Sequence, residues 1–159
     1  MHSKLYWIDT TASLKLAIMA RPRAGDWLED EIAHWKQSGI ETAISLLEPA
    51  EVSELQLDAE AALCSGHDIE FISFPIPDRG LPPDTQAALR LALKVTSSGK
   101  ATAIHCRAGI GRSSIMAAAV LIVAGAMPEE ALHEIEKARG LPVPDTDAQR
   151  NWILQLDRS

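Results

Sequence analysis

Residues 101–113 read ATAIHCRAGIGRS, an apolar run that stops at a glycine-rich turn. The first five residues have the length and composition of a buried strand. After the turn, the apolar run at 115–127 is too short for a membrane span and predicts a helix buried on all sides. The turn between this strand and this helix is therefore expected at the centre of the fold.

Strand and helix patterns alternate along the remaining chain, without an internal repeat or a polar linker. Further strands are predicted at 16–20, 42–47 and 69–76, and helices at 26–39, 49–65, after Asp84, at 113–124, at 128–139 and around Trp152. This alternation predicts an α/β fold, in which a central, mostly parallel sheet of four to five strands is flanked by helices. Ligands bind at the carboxyl ends of such strands, where the turn after residue 105 lies.

Two local patterns sharpen the helix predictions. Asp26 and Glu29 have the spacing of a capping box, which predicts that the first helix begins near Asp26. Asp84 is predicted to cap the helix that carries Leu89, Ala92 and Leu93.

The composition is that of one globular domain, and we expect residues 1–159 to form it. The net charge is −7 and no lysine- or arginine-rich run is present, so nucleic acid and anionic membranes are not expected partners. Two cysteines make no disulfide framework and no signal peptide precedes them, which favours a cytoplasmic protein. The five histidines lack metal-ligand spacing, so we expect no metal and no cofactor.

The turn has the residues of a phosphate-binding loop that carries a nucleophile. Five residues separate Cys106 from Arg112, enough for successive backbone N–H groups to converge on one centre. Gly109 and Gly111 permit the dihedral angles and close approaches that such a loop needs. The following helix adds the positive end of its dipole, and the planar guanidinium of Arg112 suits two phosphate oxygens.

The same field stabilises a thiolate. Cysteines at helix N-termini have pKa values of about 3.5–7.5 instead of about 8.5, so we expect an ionised nucleophile at Cys106. Ser113 is predicted to donate a hydrogen bond to the sulfur, and His105 to orient the loop through backbone hydrogen bonds. The alternative, a buried structural thiol beside two incidental glycines, leaves the anion loop and the arginine unexplained.

The segment HCRAGIGRS matches the His-Cys-x5-Arg-Ser/Thr signature of the protein tyrosine phosphatase superfamily. With its short length and the segments LAIMARPRAGDW, SLLEPAEV, FPIPDRGLPP and VPDTDAQ, the chain resembles a small atypical dual-specificity phosphatase. The resemblance implies a protein-tyrosine-phosphatase-like fold and a phosphocysteine intermediate on Cys106. The loop residues that it implies in phosphate binding are Arg107, Ala108, Gly109, Ile110, Gly111 and Arg112.

The same resemblance suggests two partner residues outside the loop. Asp78, in a proline-rich loop after a strand, is similar to the family's general-acid aspartate, although a turn aspartate that caps backbone N–H groups is the alternative. Asp84 is a less suitable acid because it precedes a helix. Gln149 resembles the glutamine that positions water in parts of the family, but Thr146 and Gln149 also have capping-box spacing, and both interpretations stay open.

Three arginines and the second cysteine have weaker assignments. Arg23, Arg79 and Arg107 could each enlarge the anion field, and Arg107 is the best candidate for the rim of the pocket. Cys64 could form a reversible disulfide with Cys106, but an idle buried thiol is the better interpretation.

These residues together predict a cysteine-dependent phosphomonoesterase that acts on phosphoproteins, on phosphotyrosine first, with phosphoserine and phosphothreonine as further candidate substrates. The side chains of Arg107, Ala108 and Ile110 provide no paired lysines for a phosphoinositide. A phosphatase of non-protein substrates, such as a phosphoinositide or an RNA 5′-phosphate, is the first alternative. A rhodanese-like sulfurtransferase, whose loop is usually one residue shorter, and a non-catalytic phosphate-binding module are less favoured.

Overall fold

The computed structural model describes residues 2–10 and 13–156, and it is built around a five-stranded sheet. The strands are β1 (Tyr6–Ile8), β2 (Leu16–Met19), β3 (Thr42–Ser45), β4 (Glu70–Ser73) and β5 (Thr102–His105), in the order β1-β2-β5-β3-β4. Only β1 is antiparallel to its neighbour. The predicted α/β class is confirmed, and β5, which precedes the glycine-rich turn, is the central strand.

Seven α-helices are described in residues 2–10 and 13–156. They are α1 (Leu28–Gln37), α2 (Pro49–Glu54), α3 (Glu60–Gly66), α4 (Thr85–Ser98), α5 (Arg112–Val123), α6 (Pro128–Arg139) and α7 (Asp147–Leu154). The predicted bounds of α6 are confirmed, because proline starts that helix and Gly140 ends it with a φ of 79°. The predicted helix at 49–65 is two helices, α2 and α3. No described helix is long and apolar enough to cross a membrane.

The two faces of the sheet carry different side chains, because neighbouring residues on a strand point to opposite sides. Leu16, Ile18, Ile44 and Ile104 belong to the larger core cluster, which includes residues of α4, α5, α6 and α7. On the other face, small and apolar strand residues pack with the fully buried Trp35 of α1 and with Cys64 of α3. As predicted, α5 is buried on nearly all sides, and it begins at the phosphate-binding loop.

The predicted start of the first helix is wrong. Residues Gly25–Trp27 form a turn of 3-10 helix closed by a backbone hydrogen bond from Trp27 to Ala24, so α1 begins at Leu28 without a side-chain cap. On α4, Asp84 caps the helix as predicted, but Leu93 is 57% exposed. The buried stripe of α4 is centred on positions 88, 91, 92 and 95, and position 93 falls outside it.

Candidate active site

The loop at 106–111 joins the carboxyl end of β5 to the first turn of α5. Gly109 has a φ of 73°, and a Cβ there would lie 2.7 Å from the backbone of Met19 at the end of β2. The backbone of the loop therefore approaches its neighbouring strand as closely as only glycine permits.

The carbonyl groups of the loop are held by arginines from two other parts of the chain. Arg139, at the end of α6, donates to the carbonyl oxygens of Ala108 and Gly109 at 3.2 and 3.1 Å. Arg21 donates to the carbonyl oxygen of Arg107 at 3.2 Å. Within the described part of the chain, no backbone N–H group of residues 107–111 donates to a protein acceptor. These N–H groups are available to an anion.

Arg112 is fixed by a buried carboxylate. Its Nη1 and Nη2 donate to the two carboxylate oxygens of Glu51 at 2.6 and 2.9 Å, and Nη1 also donates to the carbonyl oxygen of Ile76 at 3.0 Å. Burial alone would raise the pKa of Glu51, but hydrogen bonds from Arg112, the Glu48 backbone and Arg107, with the charge of Arg112, lower it to about 2. The guanidinium plane is therefore locked in place by an ionised partner.

Cys106 is 3% exposed and lies beside a hydrogen-bond donor. The Ser113 hydroxyl donates to its sulfur at 3.1 Å, as predicted. Gly111, which precedes α5, provides no side-chain cap for the helix N-terminus. The charged form of Cys106 is among the groups that, against the effect of burial, raise the pKa of Arg112. A thiolate in this position faces the positive guanidinium of Arg112 and the positive end of the α5 dipole, and both of these stabilise it.

Asp78 reaches the same site from the proline-rich loop. Its carboxylate accepts a hydrogen bond from Arg112 Nη2 at 3.2 Å, while the side chain stays 55% exposed. The loop is anchored on each side of Asp78, since Ile76 bonds to Arg112 and the carbonyl of Gly80 accepts from Gln149 at 3.0 Å. A buried sulfur, a clamped guanidinium and a solvent-accessible carboxyl group are thus brought together, a set that can cleave a phosphate ester.

Comparison with known proteins identifies the family. Residues 17–126 match the family model described as "Polymorphic toxin system, DSP-PTPase phosphatase". The chain belongs to this family. The match confirms the family that the signature implied, and with it the protein-tyrosine-phosphatase-like fold.

Three relatives illustrate the range of similar proteins. Cyclin-dependent kinase inhibitor 3 of Rattus norvegicus is 26% identical over 136 residues, which are 81% of this chain and 63% of the relative, so the chain spans less than two thirds of that protein. The structure of kinase associated phosphatase with its catalytic cysteine replaced by serine aligns with a TM-score of 0.83 at 21% identity, covering 96% of this chain and 93% of the other. PTPMT1 in complex with PI(5)P aligns with a TM-score of 0.70 at 21% identity, covering 94% and 93%. These two structures share the fold of the DSP-PTPase.

Gln149 is fully buried and forms the capping box that its spacing allowed. Its amide oxygen accepts from the backbone N–H groups of Asp145 and Thr146 at 3.1 and 3.2 Å, and the Thr146 hydroxyl accepts from the Gln149 backbone. Its amide nitrogen holds Gly80 in the loop of Asp78. A Cβ at Gly111 would meet the Asp145 carboxylate and lie 3.1 Å from the Gln149 amide oxygen, so the phosphate loop, the Asp78 loop and the start of α7 are packed as one unit. Water positioning by Gln149 stays a prediction.

The three arginines of uncertain role have different surroundings. Arg107 donates to Glu51 at 3.2 Å and lies 3.8 Å from a carboxylate oxygen of Glu54, and its place at the rim of the pocket stays a prediction. Nη2 of Arg23 lies 3.2 Å from Oε1 of the buried Glu31, so the charge of Arg23 is paired within the protein. Arg79 is exposed, with a φ of 58°, and none of its contacts with described residues brings it to the site.

Besides Arg21, which holds the carbonyl of Arg107, three residues of the DSP-PTPase site were not identified from the sequence. Glu51 holds Arg112, Arg139 holds the loop carbonyls, and Glu60 binds the imidazole of His105. Glu51 follows β3, the neighbour of β5, and an acidic residue just beyond a parallel strand is the signal that could have indicated it. The sequence around Glu60 and Arg139 gives no such signal, because each residue is one of several polar residues on an amphipathic helix.

Proposed function

We propose that this DSP-PTPase is a phosphoprotein phosphatase, acting on phosphotyrosine and more slowly on phosphoserine and phosphothreonine, through a phosphocysteine intermediate. The observation that carries the proposal is the bidentate pair of Arg112 with Glu51, which holds the guanidinium beside both Asp78 and the loop of Cys106. A guanidinium fixed in this plane can bind two phosphate oxygens, one through Nε–H and one through the Nη2–H that donates to Asp78 until Asp78 turns to the leaving group.

In the first step the Cys106 sulfur attacks phosphorus in line. The S–P bond forms as the P–O bond to the leaving group breaks, and Asp78 gives its proton to the departing oxygen. The backbone N–H groups of residues 107–111 and Arg112 bind the three equatorial oxygens.

In the second step water attacks the phosphocysteine. Asp78, now a carboxylate, accepts a proton from the water as the new P–O bond forms and the electron pair of the S–P bond returns to sulfur. Ser113 stabilises the departing thiolate through its hydroxyl, which lies 3.1 Å from the sulfur. Gln149 keeps one amide N–H beyond its bond to Gly80, and we assign that donor to the attacking water.

A polypeptide substrate is supported by the surface beside the loop. A cleft of about 550 Å3 is lined by Arg21, Arg23, Glu54 and Gln56, among others. Arg21 and Glu54 both contact Arg107, so the cleft adjoins the phosphate loop and offers donors and acceptors to residues that flank a phosphorylated side chain. The rat relative and the aligned phosphatase are both named for kinases, which also favours a protein substrate.

The proposal extends to the setting of the reaction. Residues 1–159 act as one catalytic domain, and the physiological partner is a phosphorylated protein. Both cysteines are free, which suits the reducing cytoplasm.

A turnover panel tests the substrate class. Purified protein is given peptides carrying phosphotyrosine, phosphothreonine or phosphoserine, an inositol phosphate, an RNA 5′-phosphate, and thiosulfate with cyanide, with Cys106→Ser as the blank. We expect the highest kcat/KM on the phosphotyrosine peptide, complete inhibition by vanadate and full activity with a strong chelator. Preference for the inositol phosphate or the RNA would overturn the protein assignment, and thiocyanate formation would overturn the phosphatase.

A further inference from the structure

The carbonyl groups of the phosphate loop and its N–H groups have opposite surroundings. Each carbonyl oxygen of residues 107–110 accepts a hydrogen bond from a protein side chain. In contrast, no N–H group of residues 107–111 donates to a protein acceptor in the described part of the chain. The side chains that hold the carbonyls come from three elements, and they are Arg21 after β2, Ser114 in α5 and Arg139 at the end of α6.

This one-sided pattern fixes the direction of the N–H groups. The peptide bonds of the loop are trans, and in a planar trans peptide unit the C=O and N–H bonds point in opposite directions. A donor that holds the carbonyl of one residue on the outside of the loop therefore turns the N–H group of the next residue to the inside. The carbonyls of Ala108 and Gly109 in this way control the N–H groups of Gly109 and Ile110.

We propose that Arg139 is a positioning residue of the phosphate loop, which turns the N–H groups of Gly109 and Ile110 toward the bound phosphate. Its Nε and Nη2 donate to the carbonyl oxygens of Gly109 and Ala108 at 3.1 and 3.2 Å, so one planar fork sets two consecutive peptide units. Consecutive units can face the same way because Gly109 has a φ of 73°, the left-handed conformation found in anion-binding nests.

The carbonyl of Arg107 depends less on a side chain. It accepts from Nη1 of Arg21 at 3.2 Å, but it also accepts from the backbone N–H group of Arg21 at 3.3 Å. The N–H group of Ala108, which belongs to the same peptide unit as this carbonyl, therefore keeps its direction without any arginine. This difference between neighbouring N–H groups makes the role of Arg139 testable one residue at a time.

The guanidinium of Arg139 is held in turn by β1. Its central carbon lies 4.3 Å from the centre of the Tyr6 ring, within the range in which a cation is attracted to the face of an aromatic ring. Tyr6 pairs with Ile18 of β2 and packs against the larger core cluster, so the sheet fixes the ring. The edge strand β1 thus supports the phosphate loop through Arg139.

This inference rests on the proposed function in taking the loop at 106–111 as the phosphate site, but its test requires no turnover. Inorganic phosphate is titrated into nitrogen-15-labelled wild type, Arg139→Gln, Arg139→Lys and Arg90→Gln, and the dissociation constant is read from the amide resonances. Arg90 is the control for the loss of one positive charge, because its side chain is 71% exposed and lies 3.9 Å from Asp84. We expect Arg139→Gln to weaken phosphate binding about tenfold and to lower kcat/KM by about 10²-fold, and Arg90→Gln to change neither.

The same titration separates positioning from a loss of charge or of stability. In wild type, phosphate should move the amide proton resonances of Ala108, Gly109 and Ile110 downfield, because these groups donate to it. In Arg139→Gln the movement should be lost at Gly109 and Ile110 but kept at Ala108. Arg139→Lys keeps the charge without the planar fork, and we expect it to behave like Arg139→Gln.

Several outcomes would overturn the inference. Wild-type phosphate affinity in Arg139→Lys would mean that only the charge matters, and an equal loss of movement at all three amides would mean that the whole loop is disturbed. Should Arg139→Gln not fold, Tyr6→Leu leaves the arginine without its ring and is expected to weaken phosphate binding about threefold. Wild-type affinity in Tyr6→Leu would remove the support from β1. The expected phosphate binding without hydrolysis of any phosphate ester would instead refute the proposed function alone.

Discussion

The two cysteines of this chain are both buried, but their surroundings differ. Cys64 lies in α3 within an apolar cluster, and burial followed by the charge of Glu60 raises its pKa to about 12. Cys106 begins the phosphate loop and accepts a hydrogen bond from Ser113. Against the effect of burial, the Glu51 hydrogen bond and then the charge of Cys106 raise the pKa of Arg112. Burial makes a thiol inert unless donors and positive charge are buried with it. The cysteines belong to separate core clusters, and nothing in their surroundings favours the disulfide between them.

Serine variants of the two cysteines give the clearest test of this difference. We expect Cys106→Ser to lose at least about 10⁴-fold in kcat, since a serine hydroxyl is not ionised at neutral pH. Cys64→Ser, the matched control, should keep nearly the wild-type rate with a lower melting temperature. Steady-state hydrolysis of a phosphotyrosine peptide measures both, and residual turnover by Cys106→Ser would refute the assignment.

The next prediction concerns the guanidinium of Arg112, which distinguishes the Cys106 site from the surroundings of Cys64. Arg112→Lys should lower kcat/KM by about 10³-fold, because lysine cannot bind Glu51 and phosphate in one plane. Arg107→Lys keeps the positive charge of a half-buried side chain, loses only the Nε contact with Glu51 and should have a much smaller effect. Equal losses in the two variants would mean that the Glu51 pair does not position the catalytic charge.

Asp78 should contribute less than the groups around the sulfur, because it acts from an exposed loop. Asp78→Asn is expected to lower kcat by about 10²-fold and to flatten the alkaline limb of the pH profile of kcat/KM. Asp84→Asn is the control, since asparagine caps a helix as well as aspartate does. An unchanged alkaline limb in Asp78→Asn would remove Asp78 from the role of acid.

The smallest effect expected is on stability against acid. Because the pKa of Glu51 falls from 4.5 to about 2 in the folded protein, the unfolded state binds the proton more readily, and stability is lost as pH falls through this range. Glu51→Gln should therefore unfold at a lower urea concentration at pH 7 but show a flatter dependence between pH 4.5 and 2. The exposed Glu54→Gln should retain the wild-type slope.

The parts of the fold that could be predicted are those with a strong local signal. The bounds of α6 followed from a proline at its start and a glycine after its end, and the strand at β5 from its apolar run. The strand β1 was missed, because three residues give no periodicity.

The candidate site divides in the same way. Cys106, Arg112 and Ser113 could be placed together because they lie within eight consecutive residues of one loop. Asp78 needed a resemblance to a known family, and Glu60 and Arg139 were not anticipated at all. Their partners are 45 and 30 residues away in the chain, and polar residues on amphipathic helices look alike whether or not they meet a buried partner.

By itself, the sequence determined that a cysteine heads a glycine-rich anion loop between a strand and a helix, because these properties belong to neighbouring residues. Only the tertiary structure decided which charges are neutralised and which remain available. Glu51 accepts hydrogen bonds from Arg112, Glu60 contacts the imidazole of His105, and Arg139 donates to carbonyl groups of the loop. Electrostatic effects depend on distance and burial in three dimensions, and neither quantity is encoded in the local order of residues.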